Sequence, residues 1–280
     1  MKRIIVTTDF SANSKKAIRF ALQLALQTHC ELVFYNVLKI VKTPDVWDTI
    51  YYGLNENEAI EHNQSSLKKF IDSITNDYSL PKINYKCVTE PGNDVVKHIM
   101  KYAEQSNANF ICIGTRGAGT IEKLFGTIVS ELIIKSTIPI IAVPKNYRMK
   151  PLQTICYASD MENIDEEIKA VTAFSVPLNA KVSVLHYEYE TYLKMNKEKL
   201  SHLALKYENE HIMFHFKKLN ALYPLIKHLK RDIIKFKPSL LIVFTKQNRK
   251  WFDRLLGASN SANMAFDTKV PIMICRKNNE

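Results

Sequence analysis

One order of strand-like and helix-like segments occurs twice in this chain, and that repeat is the strongest constraint on its fold. "IIVTTD" at residues 4–9 returns as "TICYASD" at 154–160, which sets Asp160 against Asp9. "ELVFYNV" returns as "KVSVLHY", a third strand returns as "HIMFHFK", and "STIPIIAVPK" returns as "TKVPIMICRK", with Pro271 on Pro139. Within the first copy the strands "RIIVTTD", "ELVFYNV", "KINYKCV", "NFICIG" and "IPIIAVP" are separated by helical spacing. Ala17, Ile18, Ala21, Leu22 and Ala25 lie on one helix face, with Ser11 or Ser14 as its cap, and further helices fit 57–77, 93–106 and 127–136. Strands alternating with helices predict the α/β class, here two tandem five-stranded, mainly parallel sheets flanked by helices, Rossmann-like in outline. A tandem duplication divides the chain into domains 1–148 and 149–280, joined at the short basic stretch "KNYRMKPLQ". Each last strand, "IPIIAVP" and "VPIMICR", is apolar and would otherwise be an open sheet edge. We therefore expect the two domains to pair through these strands, antiparallel, across a pseudo-twofold axis.

Composition narrows the class. A chain of 280 residues, 46% hydrophobic and 24% charged, has the makings of a globular core. No apolar run approaches the roughly 20 residues that span a bilayer. "MKRIIVTTDFS" reaches Asp9 before a signal-peptide core can form, so a soluble, cytoplasmic protein is expected. Five cysteines, Cys30, Cys87, Cys112, Cys156 and Cys275, contain no CxxC pair and predict reduced, buried thiols. The net charge of +11 raises a polyanion partner, but the lysines are spread along the chain without a nucleic-acid-binding motif. No specific nucleic-acid partner is expected.

Four of the seven glycines crowd into "GTRGAGTIEKLFGT", residues 114–127. Gly114, Gly117, Gly119 and Gly126 there follow a strand and precede a helix. In an open parallel sheet ligands sit beyond the carboxyl ends of strands, where helix N-termini offer free N–H groups to anions. Arg116 adds a guanidinium and Thr127 a hydroxyl at the helix start. A Walker A loop is excluded because no Gly-Lys pair exists, and "GAGTIE" lacks the third glycine of a dinucleotide fingerprint. His211 and His215 in "HIMFH" share a strand face but stand about 13 Å apart, too far for one metal. Asp45, Asp48 and Glu56, interleaved with Trp47, Tyr51 and Tyr52, read as a solvated loop.

The glycines and the early aspartate resemble those of the universal stress protein family, whose loop reads G-x2-G-x9-G-[ST]. Gly114, Gly117, Gly126 and Thr127 fit that pattern, except that eight residues separate Gly117 from Gly126. The resemblance implies an adenine-nucleotide α-hydrolase-like fold and a cytosolic stress-response protein. ATP or a related adenine nucleotide is the implied ligand, with Mg²⁺ as a companion ion left open. By the same resemblance Asp9 and the backbone near Val37 contact the adenine–ribose end. Gly114 and Gly117 lie under the ribose and first phosphate, and Gly126, Thr127 and Ile128 hold the outer phosphates, with Arg116 beside them.

The second copy departs from the pattern. In "TKQNRKWFDRLLGAS" Thr245 stands for Gly114, Asn248 for Gly117 and Ala258 for Thr127, while Gly257 keeps the place of Gly126. Trp251 and Phe252 crowd the phosphate space. One nucleotide per chain, in the first copy, is expected. The rival readings are a slow ATP-hydrolysing enzyme on the same loop and a nucleotide-free interaction scaffold. Homo-oligomerisation is left open.

Overall fold

The computed structural model describes residues 2–39, 56–77, 80–81, 83–115, 126–209, 211–245 and 269–277. The first half runs β1 (Arg3–Thr7), α1 (Ala12–Thr28), β2 (Glu31–Leu38), α2 (Glu56–Asp77) and β3 (Tyr85–Pro91). It continues with α3 (Val95–Gln105), β4 (Phe110–Gly114), α4 (Thr127–Lys135) and β5 (Ile140–Val143). The second half runs β6 (Thr154–Ser159), α5 (Ile164–Ser175), a short turn at Val176–Leu178 and β7 (Lys181–Glu188). There follow α6 (Glu190–Met195), α7 (Lys197–Tyr207), β8 (Ile212–Lys218), α8 (Leu225–Phe236), β9 (Leu240–Thr245) and β10 (Ile272–Arg276).

The strands lie in the order β3-β2-β1-β4-β5-β10-β9-β6-β7-β8, which reads the same from either end once each strand is matched to its copy. The two five-stranded sheets are joined edge to edge through their last strands, as expected, into one sheet of ten. Every pairing within a half is parallel. The pairing between halves is antiparallel, with Ile140, Ile141 and Ala142 opposite Ile274, Met273 and Ile272. All six of these side chains are buried. Joining the last strands saturates two ladders of backbone groups that would otherwise face water or another chain.

Helices cover both faces of the sheet, so its central strands are apolar on both sides. In β1, Ile4 and Val6 enter the core on the side of α1, while Ile5 enters the opposite core with Val96, Ile99 and Leu132. Local signals start the helices where the residues demand it. The Ser11 side chain accepts the Ser14 amide at 3.2 Å and caps α1; Asp94 accepts the Lys97 amide at 3.0 Å and caps α3. The third strand begins at Tyr85 and extends to Pro91, a shift of three residues from "KINYKCV" at its start.

The connection between halves is pinned on the α1 side of the sheet. The buried Tyr147 ring packs edge-on against Phe20, with centroids 5.6 Å apart. Gln27 on α1 accepts the Leu152 amide at 2.8 Å. The halves therefore share a core as well as a sheet. Ile141→Ala, at the centre of the shared ladder, should lower unfolding free energy by about 2–5 kcal/mol. Urea denaturation followed by far-UV circular dichroism is expected to show that loss in a single transition, without a released half.

Candidate functional site

In the first half the strand order reverses between β1 and β4, the place where open α/β sheets form a crevice at their carboxyl ends. The chain leaves β1 through a tight turn. The Thr8 amide donates to Tyr35 O at 3.0 Å, and the Thr8 hydroxyl accepts the Phe10 amide at 3.1 Å. Phe10 takes φ 61°, a left-handed value uncommon for a bulky residue. That turn aims Asp9 away from the sheet, where its Oδ1 accepts the Ser11 amide at 3.1 Å. Burial pushes the Asp9 carboxyl up, but hydrogen bonds from Ser11 and Ser14 outweigh it and hold the group below its ordinary 3.8. Asp9 is an ionised acceptor.

Beside this turn lies a cavity of about 140 Å³. Its floor is Thr7, Thr8, Ile113 and Gly114 from the ends of β1 and β4. One wall is Asp9 with Ser11, Asn13 and Ser14; the other is Tyr35 and Val37 from β2 with Val95 and Ile99 from α3. The start of α4, Gly126, Thr127, Ile128 and Val129, closes it. Asp9, Val37, Gly114, Gly126, Thr127 and Ile128 thus meet around one space. Arg116 and Gly117 lie outside the described residues, as do Gly119 and the loop at Asp45, Trp47, Asp48, Tyr51 and Tyr52.

Of the two described glycines of this loop, one is required by packing, and neither takes φ > 0. A Cβ on Gly114 would sit 2.6 Å from the Asn13 carbonyl oxygen, so the first turn of α1 can approach β4 only over a glycine. Gly126 is the N-cap of α4 at φ −65°, ψ 167°, and among the described residues no side chain caps that helix. The amides of Thr127, Ile128 and Val129 belong to its first turn, and the Gly126 carbonyl accepts the Ser130 amide at 3.0 Å. Sequence reasoning did not single out Thr8, Asn13, Tyr35, Val95 or Ile99. Tyr35 is rigidly placed: its hydroxyl donates to Glu90 at 2.8 Å and its ring stacks on Tyr102 at 4.6 Å.

The second half reproduces the turn and surrounds it with different side chains. The Ser159 hydroxyl accepts the Met161 amide at 3.0 Å, Met161 takes φ 65°, and Asp160 accepts the Glu162 amide at 3.1 Å. Strand register corrects one assignment made from sequence. Ile155 pairs with Leu240 as Ile4 pairs with Phe110, so Phe244, and not Thr245, occupies the place of Gly114. Spacing between the copies is not constant along the chain, which is why a fixed offset slips by one. The Phe244 ring packs edge-on against Tyr157 at 5.6 Å. By the same register Tyr187 replaces Val37 and donates its hydroxyl to the buried Asp232 at 2.9 Å. Asn248, Trp251, Phe252, Gly257 and Ala258 lie outside the described residues.

Lys277 holds the second aspartate. Its side chain is 2% exposed, and its Nζ lies 2.5 Å from Asp160 Oδ1, 3.3 Å from Glu167 Oε1 and 3.5 Å from Glu162 Oε2. Tyr157 donates its hydroxyl to the other Glu167 oxygen. Asp160, the counterpart of Asp9, is thereby neutralised by the chain itself. Lys145, which stands where Lys277 does in the other copy, is exposed.

Comparison with known proteins agrees with this architecture. The model of the "Universal stress protein family" matches residues 1–144. The chain belongs to that family. A universal stress protein from Archaeoglobus fulgidus DSM 4304 superposes with a TM-score of 0.70 at 16% identity, over 99% of this chain and 98% of that one. A putative universal stress protein from Pseudomonas aeruginosa UCBPP-PA14 superposes at 0.55 and 12% identity, over 99% and 93%. At these identities the likeness is one of fold. No curated protein matches the chain.

The remaining sequence candidates are less organised. Cys30, Cys87, Cys112, Cys156 and Cys275 are free thiols, and burial pushes Cys156 and Cys275 up to about 12, far from the reactive thiolate range. Among the described residues no group of three His, Cys, Asp or Glu side chains is placed to hold a metal ion, and His215 packs its ring on Phe236 at 4.8 Å. No helix among them is long and apolar enough to cross a membrane.

The Lys277 cluster makes a testable demand. Lys277→Met leaves Asp160 and Glu167 without their cation and should cost about 3–5 kcal/mol, the usual loss when one partner of a buried pair is removed. The pH dependence has a definite sign. Burial pulls the Lys277 ammonium down, but Asp160 and Glu167 together raise it above 10.5. The folded protein then binds that proton more tightly than the unfolded chain does. The contribution is full below pH 10.5 and is lost as pH rises through the higher folded value. Urea midpoints measured from pH 8 to 11.5 should converge for wild type and K277M at the alkaline end.

Proposed function

We propose that residues 1–148 are a nucleotide-binding domain that takes ATP or a related adenine nucleotide. Residues 149–280 are a second domain without a nucleotide, and the protein is a sensor or regulatory module of stress adaptation. The carrying observation is the asymmetry of two equivalent turns. The first opens on a cavity that gathers an ionised carboxylate, the start of α4 and the apolar side chains of Val37, Val95, Ile99 and Ile113. At the second, Tyr187 and Phe244 stand in the places of Val37 and Gly114, and Lys277 holds the aspartate.

The chemistry of the open crevice suits the two ends of such a ligand. Asp9, held ionised, accepts from hydroxyl or amine groups of a ribose or purine. Ile113, Val37, Val95 and Ile99 offer apolar surface to a base. The first-turn amides of α4 and the Thr127 hydroxyl suit phosphate oxygens, each charge-assisted bond contributing about 1.5–3 kcal/mol. Arg116 and Gly117 extend this reading on sequence grounds. A carboxyl held below its ordinary value is a weak general base, which favours binding over turnover at this site.

Calorimetric titration with ATP, with and without Mg²⁺, tests the reading. We expect one site per chain. Asp9→Ala and Thr127→Ala should each weaken binding at least tenfold, about 1.4 kcal/mol, without altering the melting temperature beyond a few degrees. Two comparable sites per chain, or unchanged affinity in both variants, would overturn it. Steady-state release of phosphate at about 1 s⁻¹ or faster would move the protein among enzymes.

A further inference from the structure

At the carboxyl edge of the first-half sheet, alongside the crevice but distinct from it, lies a recess of about 740 Å³. Lys16 from α1, Lys145, Arg148 and Lys150 from the connection between halves, and Lys269 just before β10 all line it. Elsewhere the lysines find carboxylates: Lys86 on Glu31, Lys194 on Glu190, Lys206 on Asp165, Lys217 on Asp232. Here, among the described residues, none of the five cations has a carboxylate within ion-pair distance.

The backbone that carries these charges is fixed. Val143 at the end of β5 pairs with Gly114, the Tyr147 amide donates to Pro144 O at 3.0 Å, and the Tyr147 ring is buried. Gln27 fastens the chain again at Leu152. The cations are therefore held together by packing that does not depend on their own interactions, and their mutual repulsion is a standing cost. Partial burial, then the neighbouring Arg19 and Arg148 guanidinium groups, hold the Lys16 ammonium below its ordinary value. Repulsion of that kind is relieved by an anion bearing several charges.

We propose that this recess is a binding site for an oligophosphate anion. A surface lined by five cations that have no carboxylate partner among the described residues suits a chain of phosphates, which presents several charges in a row, better than a single carboxylate. Two sources share that chemistry: a free inorganic polyphosphate, or the phosphate tail of a ligand seated in the adjoining crevice. The recess itself does not depend on the nucleotide reading, since it is built by residues that the crevice does not use.

Tripolyphosphate titrated calorimetrically into the full chain provides the test. A Lys145→Glu/Lys269→Glu double variant changes two exposed recess positions and leaves the buried anchors intact. Lys197→Glu/Lys199→Glu on α7 makes the same change in net charge at a distance. We expect wild-type binding that weakens at least tenfold in the recess variant and less than threefold in the α7 variant. No binding by the wild type, or equal weakening in both variants, would overturn the proposal, the second outcome reducing it to a net-charge effect. Parallel titrations with ATP and adenosine separate the sources. If the recess variant weakens ATP but not adenosine, a bound nucleotide supplies the phosphates. If both are unchanged while tripolyphosphate binding is lost, a free polyphosphate does.

Discussion

The antiparallel ladder between β5 and β10 is the contact on which the rest of the architecture depends. Each half alone would end its sheet on a strand buried on both faces by apolar side chains, with its backbone groups unpaired on the outer side. Pairing the two last strands removes both edges at once and lets the core on each face of the sheet run through both halves. It also brings the carboxyl end of β5 beside the start of β10. That is why residues of the connection and residues preceding β10 line a common recess.

Duplication supplies two identical turns after the first strand of each half, and the two copies use them differently. The hydroxyl of Thr8 or Ser159 holds the turn, the next-but-one residue takes positive φ, and an aspartate points outward. At the end of the fourth strand Gly114 lets α1 close on β4, where the second copy carries the Phe244 ring packed on Tyr157. Asp9 lines the cavity, whereas Asp160 is paired with the buried Lys277.

Much of the fold was legible because strands buried on both faces read as apolar runs, and the repeat of those runs disclosed the duplication. "NFICIG" and "IPIIAVP" needed nothing else. Strand β3 was less clear at its start because it is an edge strand, partly exposed, and "KINYKCV" lacks that unbroken apolarity. At the site, Asp9, Gly114, Gly126 and Thr127 were visible as residue types that anion chemistry needs after a strand. Thr8, Asn13 and Tyr35 were not, since their contribution comes from strand neighbours distant in sequence. Lys277 carried no signal: a lysine near the end of a basic chain reads as solvated until tertiary packing buries it. Assigning Thr245 in place of Gly114 failed for a related reason, because only strand pairing fixes the register between copies that have drifted in length.

The contrast between the two aspartates bears on why the first copy keeps an open crevice. Asp160 has its charge met by Lys277 within the chain, and Glu167 shares the same cation. Among the described residues Asp9 is met by hydrogen bonds from Ser11 and Ser14, with no cation, and it lines the cavity. An ionised carboxylate lining a cavity and a glycine at the end of the fourth strand are each less stabilising than the ion pair and the buried ring that the second copy has at those places. Local rules of stability are broken at one place in the molecule and obeyed at its twin, and such departures concentrate where a protein has a use for them. The twin is an internal control that most chains lack. It shows that this backbone accepts Tyr187, Phe244 and a buried Lys277 at the places of Val37, Gly114 and Lys145, so that the smaller and exposed residues of the first copy are a matter of its sequence rather than a constraint of the architecture.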